Sequence, residues 1–137
     1  KKKNLYSPIV KGNIIKKKFS LGSGLDKINF KTFQVKHGFT KSVVYIFKKT
    51  AYISDTNDPS IVKNKELKNL NYLIIDCCKF NKYYSHFNLD EALHVHNQLK
   101  PKKTILTNLH SDFDYDFLLQ RTPNNVLPAY DGLRINL

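Results

Sequence analysis

Methionine and tryptophan are both absent from this sequence of 137 residues, and cysteine occurs only twice. Because not even the first residue is methionine, we expect the sequence to begin inside a longer protein. Long apolar runs are absent as well, since none approaches the ~18 residues that a membrane-spanning helix requires. We therefore expect no membrane partner. With 41% hydrophobic residues, the chain is expected to form a single domain, residues 1–137, with its own core.

The two cysteines, Cys77 and Cys78, are adjacent in the sequence. Neighbouring side chains diverge and disulfide geometry is narrow, so these thiols are not expected to pair. Unpaired thiols are typical of a reducing compartment, which predicts a cytoplasmic location or another reducing compartment. A thiolate nucleophile with His86 as its base is an alternative, but buried, inert thiols at a strand end fit the pattern better.

Acidic residues are scarce: 11 aspartates and glutamates stand against 23 lysines and arginines, which gives a net charge of +12. Such an excess can indicate a nucleic-acid or membrane-surface partner. The lysines are spread along the chain, however, and lysine lacks the planar fork with which arginine reads bases and phosphates. We therefore attribute most of the charge to composition. The lysine runs at 1–3 and 16–18 are the patches best able to attract phosphate.

Apolar runs separated by helical segments predict an α/β fold built in layers. The predicted strands are 27–35, 43–47, 51–54, 72–76 and 103–107, with terminal strands 125–130 and 133–137 around an Asp-Gly turn. The predicted helices are 58–70, 88–100 and 111–120. Residues 1–25 show no clear periodicity and are expected to be irregular.

The segment 88–100 carries the strongest helix signal. Asn88 and Glu91 have the spacing of a capping box. His94 and His96 form an H-x-H pair, but positions two apart on a helix point in opposite directions and do not share a metal ion. We expect His96 to be a hydrogen-bonded core residue and His94 to be solvated.

Residue types that can bind metals stand at or after the ends of several predicted strands: His37, Asp55, Asp76, His86 and the segment 107–110. In open α/β sheets, loops at the carboxyl ends of strands meet at one edge, where ligands bind. Imidazole and carboxylate together suit Zn, Mn or Fe, and two ions can share a carboxylate. Taken alone, an aspartate at a strand end such as Asp55 is more often a turn former.

The order of three motifs adds to this pattern. H-G at 37–38, Y-x-S-D-T at 52–56 and Y-D-G-x-x-I at 130–135 together resemble the second half of the metallo-β-lactamase fold hydrolases. Within that superfamily the sequence is most similar to the branch around phosphoribosyl 1,2-cyclic phosphate phosphodiesterase. The resemblance, over residues 26–137, implies an αββα sandwich with two divalent metal ions, Zn or Mn, at one edge, of which this chain holds the C-terminal part.

The resemblance also implies roles for single residues. The histidine that matches His37 binds one metal, and the aspartate that matches Asp55 bridges both. His86 matches a histidine near the substrate phosphate, and Asp76 matches an acid that orients a ligand. The remaining ligand follows the strand 103–107. Its position is Asn108 here, so His110 is preferred, because an amide is a poorer ligand than imidazole.

The implied activity is hydrolysis of a small phosphodiester, cyclic or nucleotide-like. Metal-bound hydroxide attacks phosphorus, and His86 holds a phosphate oxygen or protonates the leaving alkoxide. The superfamily's H-x-H-x-D-H cluster is absent, so we expect this chain to be inactive by itself. Two alternatives stay open: an RNA-processing nuclease of the same superfamily, which the charge would serve, and a non-catalytic basic binding module without metals. A homodimer is a further option.

Overall fold

The computed structural model describes residues 12–137, so the lysine run at 1–3 lies outside the described residues. Seven strands form one sheet in sequence order. They are β1 Lys18–Leu21, β2 Ile28–His37, β3 Thr40–Phe47, β4 Thr50–Ile53, β5 Tyr72–Asp76, β6 Lys103–Thr107 and β7 Val126–Pro128. The first four strands pair antiparallel, and β4 to β7 pair parallel. The predicted α/β class is therefore confirmed.

Strand direction decides which loops meet. Because β3 runs opposite to both β2 and β4, the carboxyl end of β2 lies at the same edge as those of β4 to β7. We call this the site edge. Loops that leave parallel strands at this edge are where α/β sheets bind ligands.

Helix α1, Leu89–Leu99, begins as the sequence predicts. The Asn88 side chain accepts a hydrogen bond from the Glu91 N–H at 2.9 Å, and the Glu91 carboxylate accepts one from the Asn88 N–H at 3.1 Å. His96 is buried, with Nδ1 2.8 Å from Thr104 Oγ1, whereas His94 is exposed. Burial lowers the pKa of His96. Both expectations for the H-x-H pair are confirmed.

The predicted helix over 58–70 is wrong. The segment forms two short 3₁₀ helices, Pro59–Lys63 and Lys65–Leu67, separated by Asn64 in an extended conformation. The Asn64 side chain accepts a hydrogen bond from the Glu66 N–H, so it caps a new turn instead of continuing the first. Short polar side chains compete with the helix backbone in this way. The predicted cap itself is confirmed, because Asp58 accepts a hydrogen bond from the Ser60 N–H at 3.0 Å.

Both ends of the chain also differ from the prediction. Strand β1 forms within the segment 1–25 that the sequence predicts to be irregular, and a 3₁₀ helix at Gly24–Asp26 begins in it. Residues 133–137 do not form the predicted last strand. Helix α2, Tyr115–Gln120, is shorter than the predicted 111–120 because it starts after Asp114, whose side chain caps it. Strand β1 forms by pairing with the neighbouring β2, and such pairing decides an edge strand more than its own periodicity does.

The core lies on one face of the sheet. Ala51, Ile53, Leu73 and Ile75 are fully buried there with Val95 of α1. On the opposite face a row of side chains crosses the sheet in register: Tyr45, Tyr52, Ile74, Ile105 and Leu127. The sheet is thus apolar on both faces, as is typical of parallel strands. None of the helices in residues 12–137 has both the length and the apolar character to cross a bilayer.

Candidate metal centre

Two residues at the site edge have unusual backbone conformations. Asp55 lies two residues beyond β4 with φ of 55°, and Asn108 directly follows β6 with φ of 61°. Left-handed conformations are uncommon for residues other than glycine, although Asp and Asn tolerate them best. Such conformations cluster at functional sites, but four other non-glycine residues in the described part of the chain adopt them as well, so the side chains and not the backbone identify the site. At both positions the chain turns sharply as it leaves the strand and presents a polar side chain at the same edge.

Three side chains converge at this edge: His37 at the end of β2, Asp55 after β4, and His86 in the loop before α1. Each offers one ligand atom, and these atoms all lie within 4.8 Å of one another. The His86 side chain is 16% exposed and that of Asp55 is 51% exposed. The group is therefore set into the surface and remains open to solvent.

Hydrogen bonds orient both imidazole rings. His37 Nδ1 lies 3.1 Å from the Ser85 carbonyl oxygen, and His86 Nδ1 lies 2.6 Å from Asp76 Oδ2. Both partners are hydrogen-bond acceptors, so they favour the tautomer of each ring that carries its proton on Nδ1. The Nε2 lone pair of each ring then stays available to a metal ion or an acidic proton. Carboxylate and carbonyl partners fix metal-binding histidines in the same way.

Asp76 connects the centre to the sheet. It is fully buried at the end of β5. Besides His86, it accepts hydrogen bonds from the Thr56 N–H at 3.3 Å and from Asn108 Nδ2 at 3.1 Å. Burial raises the pKa of Asp76, and the hydrogen bonds from its neighbours oppose that effect. This geometry suits a residue that orients His86, the role that the resemblance implies for Asp76.

The structure does not bring His110 into the group of three. The His110 N–H donates to the Cys78 carbonyl at 3.1 Å, and its Nδ1 accepts from the Asp112 N–H at 3.3 Å. Asn108 is closer, with its amide nitrogen directed to Asp76. A cleft of about 420 Å³ opens beside Asn108 and is also lined by Tyr130 and Asp131 of the closing Y-D-G motif.

The two thiols do not contribute a nucleophile. Both cysteines are free, and Cys77 is fully buried. Burial raises the pKa of Cys77 to about 12 and also raises the pKa of Cys78. A thiolate is the reactive form, so neither residue is activated near neutral pH.

The donor set fits one metal ion. Two imidazoles and one carboxylate are ligands that Zn and similar ions accept, and three protein ligands leave a coordination position open. Among residues 12–137, His37, Asp55 and His86 are the one group of three or more such side chains close enough to hold an ion. A second ion would need ligands beyond this group.

Sequence reasoning missed several residues that hold the centre. The Ser85 carbonyl and the Thr56 N–H contribute through the backbone, so no side-chain signal points to them. The Thr56 hydroxyl also donates to the Lys36 carbonyl at 2.7 Å and accepts from the Asp58 N–H at 3.1 Å. The position of Thr56 in the Y-x-S-D-T motif is the one sequence signal that could have pointed to this role.

Solved structures of known proteins share this architecture. A diphosphatase from the PhnP family is 25% identical over 80% of this chain and 44% of its own, with a TM-score of 0.74. The metallo-β-lactamase fold protein YhfI from Bacillus subtilis is 18% identical over 90% of this chain and 54% of its own, with a TM-score of 0.71.

The short form of human tRNase Z is 16% identical over 88% of this chain and 47% of its own, with a TM-score of 0.58. Over the part of these structures that it covers, the chain has a metallo-β-lactamase fold. It spans about half the length of the solved structures it matches. No protein-family model matches the chain, and no curated protein matches it in sequence.

Proposed function

We propose that the protein to which this chain belongs is a metal-dependent hydrolase of a small phosphodiester, cyclic or nucleotide-like. The observation that carries the proposal is the convergence of His37, Asp55 and His86 at the site edge. The fold shared with the diphosphatase supports hydrolytic chemistry at phosphorus. A closer relation to the phosphoribosyl 1,2-cyclic phosphate phosphodiesterase branch stays a prediction.

We assign His37 and Asp55 as residues that would hold divalent ions, Zn or Mn, of which we propose two; the second ion would need ligands beyond the group of three. The ions would supply Lewis-acid activation of water and of the phosphoryl oxygens. Although its imidazole lies close enough to hold an ion, we assign His86 as the catalytic partner. With Nδ1 held by Asp76, a ring that carries a proton on both nitrogens can donate a hydrogen bond from Nε2 to a phosphate oxygen, or give that proton to the leaving alkoxide. His110 and Asn108 remain the candidates for the ligand after β6.

Metal content tests these assignments without requiring turnover. We expect Asp55→Asn and His37→Ala to lower bound Zn or Mn severely, because each removes a ligand atom, while circular dichroism shows an intact fold. His86→Ala should retain metal but lose hydrolysis of bis(4-nitrophenyl) phosphate by the full-length protein. His94→Ala, an exposed histidine elsewhere on the surface, is the matched control and should change neither.

Each of three other results would contradict one of these assignments. Normal metal content in Asp55→Asn would refute the ligand role of Asp55. Metal loss in His86→Ala as large as that in His37→Ala would make His86 a ligand instead of a catalytic partner. Absence of transition metal from the full-length wild-type protein would favour the non-catalytic binding module.

An RNA-processing nuclease is the second candidate, because the net charge of +12 suits a polyanion and tRNase Z shares the fold. A reducing compartment such as the cytoplasm is proposed from the two free thiols. A homodimer stays a prediction, which light scattering on the purified protein can test.

A further inference from the structure

An exposed aromatic pair stands beside the candidate metal centre. Phe39 is completely exposed, and Tyr84 is 59% exposed. Their ring centroids lie 5.2 Å apart with the planes tilted by 52°. Single exposed apolar side chains are common and need no explanation. Two exposed rings in contact, on the segments that carry His37 and His86, form a surface with a defined shape, which we call the aromatic shelf.

The shelf is held in place by the backbone around it. Gly38 has φ of 54°, and a Cβ at this position would lie 2.8 Å from the Tyr84 ring, so the ring packs directly on the β2–β3 turn. Asn57 Nδ2 donates to the Tyr84 carbonyl at 3.0 Å. The Tyr84 ring and backbone are thus fixed from two sides. Preorganised aromatic rings bind planar ligands at low entropic cost.

The two residues of the shelf lie on the same two chain segments as His37 and His86. Phe39 is two residues after His37, and Tyr84 is two residues before His86. Two residues span at most ~7 Å between Cα atoms. Ser85, between Tyr84 and His86, accepts the hydrogen bond that orients His37. The Cα atoms of Phe39 and Tyr84 therefore lie within ~7 Å of those of His37 and His86, respectively, which is about the length of one nucleotide unit.

The charged side chains around the shelf indicate whether it can bind a cationic or an anionic ligand. Lys41 and Lys82 are exposed, each two residues from a shelf residue, whereas Lys79 lies 3.9 Å from the Asp112 carboxylate. The two exposed lysines disfavour a cationic ligand on the rings and favour an anion. A planar aromatic group joined to a phosphate meets both conditions.

We propose that Phe39 and Tyr84 form a stacking site for the nucleobase of a phosphodiester whose phosphate lies at the His37–Asp55–His86 group. This inference rests on the proposed function and narrows it to base-bearing substrates, with the shelf as a specificity determinant. Stacking on aromatic side chains tolerates every base because each has a π-face. The shelf therefore distinguishes a nucleotide from a bare sugar phosphate without reading its sequence.

Binding of two short oligomers tests the shelf. The probes are a five-residue oligothymidylate and a five-residue abasic oligomer of the same charge, titrated by calorimetry in buffer with EDTA. We expect the wild type to prefer the base-bearing oligomer. Phe39→Leu and Tyr84→Leu should weaken binding of that oligomer roughly 5- to 150-fold, the range for loss of one stacked ring, and leave abasic binding unchanged. Tyr84→Phe keeps the ring and should keep the preference.

Phe19→Leu is the matched control. Phe19 stacks on Phe30 with centroids 4.9 Å apart, at the end of β2 opposite to His37. Equal binding of both oligomers to the wild type, or a preference that survives both leucine substitutions, would overturn the inference. Because the calorimetry is done in EDTA, base preference is measured separately from metal binding. If the protein prefers the base-bearing oligomer but binds no metal when it is prepared without EDTA, the proposed function is refuted and the shelf is retained. If it binds metal but shows no base preference, the shelf is refuted and the proposed function is retained.

Discussion

Asp55 carries a potential ligand atom on a backbone that adopts the unfavourable left-handed conformation. A left-handed conformation costs most residues roughly 1–2 kcal/mol, and aspartate only partly escapes that cost. Glycine would remove it, but glycine has no carboxylate to offer His37 and His86. The strained backbone is therefore consistent with a residue kept for its chemistry, as the proposed function requires.

Replacing Asp55 by glycine and by alanine separates its backbone from its charge. Both variants lose the carboxylate, so any difference between them reports the conformation. We expect Asp55→Gly to be more stable to urea than Asp55→Ala by about 1 kcal/mol, because alanine retains the steric cost at φ of 55°. At exposed Asp90 in α1 the order should reverse, since alanine favours a helix. Equal stability of the two Asp55 variants would show that the backbone at position 55 is not strained.

At the scale of elements, α1 shows how a local signal positions the centre. Its capping box fixes Asn88, and Asn88 lies two residues after His86. The Leu89 N–H donates to the Lys79 carbonyl at 3.0 Å, and the Phe87 N–H donates to the Thr56 carbonyl at 3.0 Å. The helix start thus anchors the loop that carries Tyr84 and His86 to the ends of β4 and β5.

Removal of the cap should destabilise the domain. We expect Asn88→Ala to lower the free energy of unfolding by about 1 kcal/mol, because the Glu91 N–H loses its acceptor at the start of the helix. Urea denaturation monitored by circular dichroism measures the loss. Asn97→Ala, an exposed change on the same helix, should leave stability unchanged or slightly higher. A cost at Asn97 as large as that at Asn88 would show that the cap is not the cause.

At the scale of the whole molecule, the charge of +12 is the property that separates the two candidate substrates. A long polyanion meets many lysines at once and releases counterions from each phosphate contact. A small phosphodiester meets few of them. The distinction concerns the summed charge and not any single ion pair.

Salt dependence should reveal which substrate the protein binds. For single-stranded RNA held by six phosphate contacts, affinity should fall by two to three decades, on the order of 300-fold, between 50 and 200 mM salt. A small phosphodiester should lose only a few-fold over the same range, and that is the result we expect under the leading proposal. A steep loss for the small ester would argue against it. Fluorescence anisotropy and competition by the unlabelled ester measure both affinities.

The sequence alone determined the features that depend on near neighbours. The strands 72–76 and 103–107, the cap at Asn88 and the contrast between His94 and His96 follow from periodicity and side-chain chemistry within a few residues. The order of the motifs also predicted the metallo-β-lactamase fold. The prediction of a helix over 58–70 was wrong because the start signals at Asp58 and Pro59 did not reveal that Asn64 would cap a new turn.

Only the tertiary structure decided which strand-end residues meet. Strand direction brings His37, Asp55 and His86 together from segments up to 49 residues apart, whereas His110, at the same edge in sequence terms, forms a local contact with Asp112. The hydrogen bonds of Ser85 and Thr56 and the contact between Phe39 and Tyr84 are equally long-range. Such contacts depend on packing of the whole sheet, because no local pattern specifies the direction in which a loop side chain finally points.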